Sequence, residues 1–145
     1  MDREFELNGK NFKLNKINAF KQFHIVRRIS PILAELLPVL EDFNKKQKAT
    51  GGAVENQSFE EVAKIASPIM LGLSKLSDED SDKVLYGLLA SVEMQQGSGG
   101  WAKVAVDGNP PMLMMQDMEL PILMQVAGRA FFYNLSGFFN VAPRT

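Results

Sequence analysis

Phe5 and Leu7 alternate with Glu4 and Glu6, Asn8-Gly9 interrupts, and Phe12 and Leu14 alternate with Asn11 and Lys13 on the way back. A period-two pattern around Asn-Gly predicts a β-hairpin with a type I′ turn, because both central turn positions need positive φ. In that register Leu7 faces Lys10, Phe5 faces Phe12 and Glu4 faces Lys13. One face then carries Phe5, Leu7, Phe12 and Leu14, and the other carries Glu4, Glu6, Asn11 and Lys13. A two-stranded hairpin alone is marginal in water, so its apolar face must pack on something, for which the first helices are the expected surface. Its backbone edges are expected to stay free to add a strand to another subunit or client.

From residue 18 the spacing becomes helical. Asn18 is a natural N-cap for "AFKQFHIVRRI", with Phe20, Phe23 and His24 on one side and Ile25 and Ile29 enlarging the apolar surface. Ser30-Pro31 predicts a new or kinked helix over about 31–44, holding Ile32, Leu33, Leu36, Leu37 and Leu40, with a further kink at Pro38. The polar stretch 44–57 reads as a loop. Ser58-x-x-Glu61 is a capping box for a helix bearing Val62, Ile65, Ala66, Ile69 and Leu73, kinked at Ser67-Pro68. "SDEDSD", residues 77–82, introduces a helix with Val84, Leu85, Leu88, Leu89 and Val92, its acidic start complementing the helix dipole. "WAKVAV" and Asp107-Gly108 predict a short strand or an Ω-type loop. Asp117 is the expected cap of a last helix, about 118–136, and "FFNVAPRT" is expected to be extended.

These elements predict one mainly α domain. An N-terminal β-hairpin (1–16) packs on a bundle of about four to five helices. The helical core spans 18–94, a flexible loop or short hairpin follows over 95–116, and the C-terminal helix and tail fill 117–145.

Composition narrows the function. The chain has 145 residues, 46% hydrophobic and 23% charged, with a net charge of −1 that offers no global attraction to nucleic acid or anionic lipid. The absence of cysteine excludes disulfides, thiol nucleophiles and cysteine-ligated metals. "MDREFELNGK" lacks the apolar stretch of a signal peptide. Residues 120–139 are apolar enough to resemble a membrane span, yet they include Gln125, Arg129 and Asn134. An arginine at a bilayer centre costs roughly 2.5–3.5 kcal/mol, so a buried or docked helix is the better reading. Charge is uneven: residues 1–48 carry ten Lys/Arg against six Asp/Glu, and residues 49–100 carry three against eight. That asymmetry fits either head-to-tail association or local capping and solvated faces.

No reactive constellation emerges. Asp78, Asp80 and Asp82 have the opening spacing of a calcium loop, but Lys83 stands where glycine is needed and Leu89 where glutamate is needed. Gly97-Ser98-Gly99-Gly100 lacks the spacing and the lysine of a phosphate-binding loop and reads as a linker. His24, the only histidine, has no nucleophile placed near it by sequence. It reads as a core or partner-facing residue, and an enzyme using it with a carboxylate is the least favoured alternative. Lys21, Arg27 and Arg28 lack the interleaved aromatics of a nucleic-acid surface. No catalytic, cofactor or metal site is assigned.

Methionine is more informative. Met112, Met114, Met115, Met118 and Met124, five of the eight in the chain, fall within thirteen residues. Flexible thioethers suit surfaces that accept apolar partners in more than one packing, and they also fill ordinary cores. With Phe131, Phe132, Tyr133, Phe138 and Phe139 they give the C-terminal third more apolar surface than a small fold easily hides. The expected partner-binding residues are Phe5, Leu7, Phe12, Phe20, Phe23, Met112, Met114, Met115, Phe131, Phe132, Phe138 and Phe139.

The opening "FELNGKNFKLNKINAFKQFHIVRRISPIL" resembles the tail assembly chaperones of long-tailed bacteriophages, which commonly begin with an "x-F-x-L-N-G-K" hairpin followed by a basic helical stretch. The resemblance implies a chaperone that binds and solubilises the tape measure protein, a long helical chain, and helps recruit tail tube subunits around it. It further implies action in the host cytoplasm, absence from the finished virion, and no catalytic residues. Self-association into a homo-oligomer would also cover the excess apolar surface. Neither nucleic acid nor membrane is an expected partner. The alternative is a small structural or connector subunit of the tail particle.

Overall fold

The computed structural model describes residues 3–35, 38, 71–115 and 117–141, with side chains as far as 135. In chain order it contains β1 (Glu4–Leu7), β2 (Lys10–Leu14), α1 (Ala19–Ile29) and a 3₁₀ turn (Ser30–Ile32). These are followed by α2 (Asp78–Leu89), β3 (Val92–Gln95), β4 (Trp101–Lys103), β5 (Ala105–Val106), β6 (Met112–Leu113) and α3 (Leu120–Val141). The expected loop 44–57, the Ser58/Glu61 capping box, the neighbours of Pro38 that would show a kink there, the kink at Ser67-Pro68 and the Val62–Ile69 helical run lie outside the described residues.

The hairpin forms in the expected register, with Phe5 opposite Phe12 and Leu7 opposite Lys10. Asn8 and Gly9 both take positive φ, 54° and 78°, as a type I′ turn requires. The expectation of a mainly α bundle carrying a lone hairpin is overturned. β2 pairs with β3 and β3 with β4, giving a four-stranded antiparallel sheet in the order β1-β2-β3-β4, beside a separate β5-β6 ribbon. The molecule is therefore a mixed α and β fold. Val92, expected on the helix with Leu88 and Leu89, lies on β3 opposite Leu14. Its spacing fits a helix, but Ser91 N–H already folds back to the Leu88 carbonyl at 3.2 Å, and the chain then extends. One of the two edges expected to be free on the hairpin, that of β2, is consequently filled from within the chain.

Asn18 caps α1 as expected, its side chain accepting from Lys21 N–H at 2.9 Å. Ser77 caps α2 in the same way, accepting from Asp80 N–H, with Asp78, Glu79 and Asp80 in the first turn. Arg28 Nε lies 3.5 Å from Asp80 Oδ1, so part of the charge asymmetry is matched between α1 and α2 inside the chain. The last helix starts later and runs further than expected. Its first hydrogen bond, Leu123 N–H to the Glu119 carbonyl, places Glu119 rather than Asp117 at its entry, and residues 138–141 are helical, not extended.

A single apolar cluster joins the sheet to the helices. The sheet contributes Leu7, Phe12, Leu14, Val92 and Met94; α1 contributes Ile25 and Ile29; α2 contributes Val84, Leu88 and Leu89. α3 adds Met124, Val126, Ala127, Ala130, Phe131 and Leu135, and it contacts both β2 and α2. Among the described residues no helix is long and apolar enough to cross a membrane.

Helix α2 offers a test of this packing. Gly87 is buried, and a Cβ there would stand 3.6 Å from Ile25 Cδ1 and 3.8 Å from Asp107 Oδ2, ordinary contact distances. Glycine inside a helix costs up to about 1 kcal/mol relative to alanine. Gly87→Ala is expected to raise the unfolding free energy by about 0.5–1 kcal/mol in urea titration, and a loss would show that α1 and α2 pack closer than this.

Candidate functional site

Helix α1 presents two faces. Ile25 and Ile29 are buried, while Phe20 and Phe23 are 80% and 58% exposed. Phe20, Phe23, His24 and Arg27 follow one another at i, i+3, i+4 and i+7, so they form one outward stripe. Within it the His24 ring lies 5.4 Å from the Phe23 ring, tilted by 59°, and a guanidinium nitrogen of Arg27 lies 3.4 Å from His24 Nδ1. The stripe is therefore aromatic at its start and cationic at its end. His24 sits on this exposed surface rather than in a cavity beside a carboxylate.

A second apolar surface lies around β6 and the approach to α3. Met112 and Met114 are about half exposed, at 53% and 51%, and Val106 and Leu120 are also exposed. Met115 and Met118 are half-buried against the core, and Met124 is wholly inside it. The methionine run thus grades from surface to core along the chain.

The two surfaces are accompanied by a groove of about 230 Å³ under the hairpin turn. Leu7, Phe12 and Met94 line it from the sheet, and Met115, Met118 and Ile122 from the segment entering α3. Lys10, Asp117 and Glu119 also line it, so the apolar floor is joined by charged side chains of both signs. Among the described residues no group of three or more His, Asp or Glu side chains could hold a metal ion.

The expected partner-binding residues divide by position. Phe20, Phe23, Met112 and Met114 are exposed. Leu7, Phe12 and Met115 meet at the groove, although Phe12 is fully buried and Leu7 nearly so. Phe5 stacks on Phe12 with ring centroids 5.3 Å apart, and the Arg129 guanidinium lies 4.4 Å over the Phe5 ring. Phe131 belongs to the core and Phe132 is half-buried. The side chains of Phe138 and Phe139 lie outside the described residues. Exposed Leu71, Val106 and Leu120 were not expected. Each sits in an apolar run that also contains buried or half-buried residues, so only the fold shows that it is the exposed member.

No curated protein and no solved structure matches the chain. A family model does, that of the phage tail assembly chaperone protein, TAC, and it covers residues 8–144. That span takes in β2, both sides of α1, the groove lining other than Leu7, and α3, and leaves residues 1–7 and Thr145 outside the match. The chain belongs to the phage tail assembly chaperone family.

Proposed function

We propose that the protein holds the tape measure protein of its phage in soluble form during tail assembly, and helps bring tail tube subunits to it. The observation that carries this reading is the outward stripe of α1. Two large aromatic side chains stand in water on a helix whose opposite side is anchored by Ile25 and Ile29. Exposed aromatics cost solubility and contribute little to the fold, and at interfaces they are frequent anchors. A tape measure protein, as a long helical chain with apolar faces, is the partner chemistry such a stripe fits. The half-exposed Met112 and Met114 supply adaptable contacts suited to a client without one fixed shape.

Co-expression tests the proposal. Tape measure protein produced with this chain should stay soluble and co-purify, and Phe20→Ser with Phe23→Ser should weaken capture roughly tenfold or more, as loss of aromatic anchors does. The double variant should keep the parent's unfolding curve, because neither ring is buried. Unchanged capture by a folded double variant would remove α1 from the interface. Failure of the parent chain to solubilise the tape measure protein, with its recovery instead from mature particles, would favour a structural tail subunit.

A further inference from the structure

We infer that copies of this chain associate head to tail by joining β4 of one copy to β1 of the next, continuing the sheet. β1 and β4 are the two edges of the four-stranded sheet. Three independent features of these edges fit each other.

The first is hydrogen-bond parity. Along an antiparallel strand, residues alternate between bonding one neighbour and bonding the other. Leu14 N–H donates to the Arg3 carbonyl at 2.7 Å, which makes Arg3, Phe5 and Leu7 the β1 residues that bond to β2. The N–H and C=O groups of Glu4 and Glu6 therefore point away from the sheet. On the other side, Gln96 N–H donates to the Gly100 carbonyl at 2.7 Å and Val104 N–H to the Val92 carbonyl at 2.9 Å. Ala102 then bonds inward to β3, and Trp101 and Lys103 point their backbone groups outward. None of these four residues takes another backbone bond among the described residues.

The second is register. Across the sheet, Glu4 faces Lys13, Lys13 faces Glu93, and Glu93 faces Lys103. A fifth strand continuing this row places the next copy's Glu4 opposite Lys103, and its Glu6 opposite Trp101. Those are the same residues whose backbone groups face outward, so side-chain and main-chain registers coincide. The new pair is antiparallel, because β1 and β4 run in opposite directions.

The third is charge. The row alternates in sign through all four strands, and a following Glu4 keeps the alternation, favourable for directly opposed side chains. Pairing β1 with β1 would set Glu4 and Glu6 against their own kind, and pairing β4 with β4 would set Lys103 opposite Lys103 or Trp101, with no acidic partner to continue the row. Only the unlike edges match, so the contact is heterologous and builds a ring or an open filament rather than a closed dimer. On the inner face, half-buried Phe5 would gain cover from the preceding copy's Ala102. This inference does not rest on the client reading, and its test needs no client.

The chain has no native cysteine, so a thiol pair reports the contact directly. The two edges lie three strand spacings apart, roughly 14 Å, too far for a disulfide within one copy. Glu4→Cys combined with Lys103→Cys, oxidised with diamide, should give a reducible series of dimers, trimers and larger species on non-reducing gels. Either single variant should stay monomeric there. Light scattering should show a mass above the monomer for the unmodified chain. Glu6→Pro removes an outward N–H without touching the β1–β2 bonds and should bring that mass to the monomer with an unchanged melting curve. If Glu6→Pro unfolds, Lys103→Glu, at an exposed position, should dissociate the copies instead. A monomeric parent chain, single variants that cross-link as fast as the pair, or a folded Glu6→Pro or Lys103→Glu variant with undiminished mass would overturn the inference.

Discussion

Replacing Phe12 with alanine is expected to destabilise the protein by about 3–5 kcal/mol, the range for a large aromatic lost from a packed core. Phe12 has no exposed surface, although it lies on a short strand near the chain's start. It faces Phe5 across β1–β2 and Met94 across β2–β3, so it occupies the middle of the sheet's inner face. Its ring stacks on Phe5, and it forms part of the floor of the groove under the hairpin turn. Truncation therefore removes contacts on three sides. The turn Asn8-Gly9 fixes the register of that strand, so a neighbouring residue cannot slide in to fill the space. A domain of this size has roughly 5–15 kcal/mol of stability, so the variant should lose a large share of its folded population at growth temperature. Urea unfolding measures the loss. Phe5→Ala provides the comparison, since Phe5 is only half-buried at the sheet edge and should cost about half as much. Equal losses at the two positions would mean that the edge strand is as well covered as the centre. A Phe12 loss below about 1 kcal/mol would place the core elsewhere.

The contrast between these two positions shows what could be read from residues alone. The hairpin was legible because its signal is local: Asn-Gly demands one turn type, and strict alternation leaves one register. The α1 and α2 caps were legible for the same reason, since Asn18 and Ser77 act on backbone groups three residues away. What was not legible is long-range. β3 is only "VEMQ", and Val92 fits the helical spacing of Leu88 and Leu89 as well as it fits a strand. The β2 edge that draws it into the sheet lies some eighty residues earlier. The partner surface divides similarly. Phe20 and Phe23 are outward on α1, whereas Phe12 and Phe131, from the same sequence-based group, are interior. Hydrophobicity marks both kinds of residue alike, and only the presence of a covering element separates them.

That separation assigns the chain's aromatics to two tasks. Phe5, Phe12 and Phe131 pack into or against the core and hold the fold, whereas Phe20 and Phe23 on α1 are exposed. A chaperone that engages an apolar client needs this division, because a side chain cannot anchor the core and leave it for the client. On the proposed function, the basic end of the α1 stripe, Arg27 beside His24, would favour an apolar helix with an acidic flank.

Asn134→Ala should be the second costly change, at about 2–3 kcal/mol, the loss of a hydrogen bond plus the penalty of a buried donor left without a partner. Asn134 is 7% exposed on α3, yet it reaches the junction between the hairpin and α1. Its side-chain oxygen accepts from Ile17 N–H at 2.7 Å, and its amide nitrogen donates to the Ala130 carbonyl at 2.9 Å and the Asn15 carbonyl at 3.4 Å. Ile17 is itself buried, so water cannot replace the lost acceptor. Lys16 adds a second tie to the same helix, donating to the Tyr133 carbonyl and lying 4.3 Å over the Tyr133 ring, but it is exposed and should matter less. Lys16→Ala is accordingly expected to cost under about 1 kcal/mol. Asn134→Asp would keep an acceptor for Ile17 while burying a charge, and should not rescue stability. Amide exchange supplies the local readout: protection at Ile17 should fall further in Asn134→Ala than the global loss alone requires. Retained protection with stability within about 0.5 kcal/mol of the parent would show that this junction is held by apolar packing instead. If the junction does loosen, α1 loses the anchor just before its N-cap. On the proposed function, the outward stripe would then meet the tape measure protein from a helix with a frayed start, and Asn134→Ala should weaken its capture in the co-expression test without touching Phe20 or Phe23.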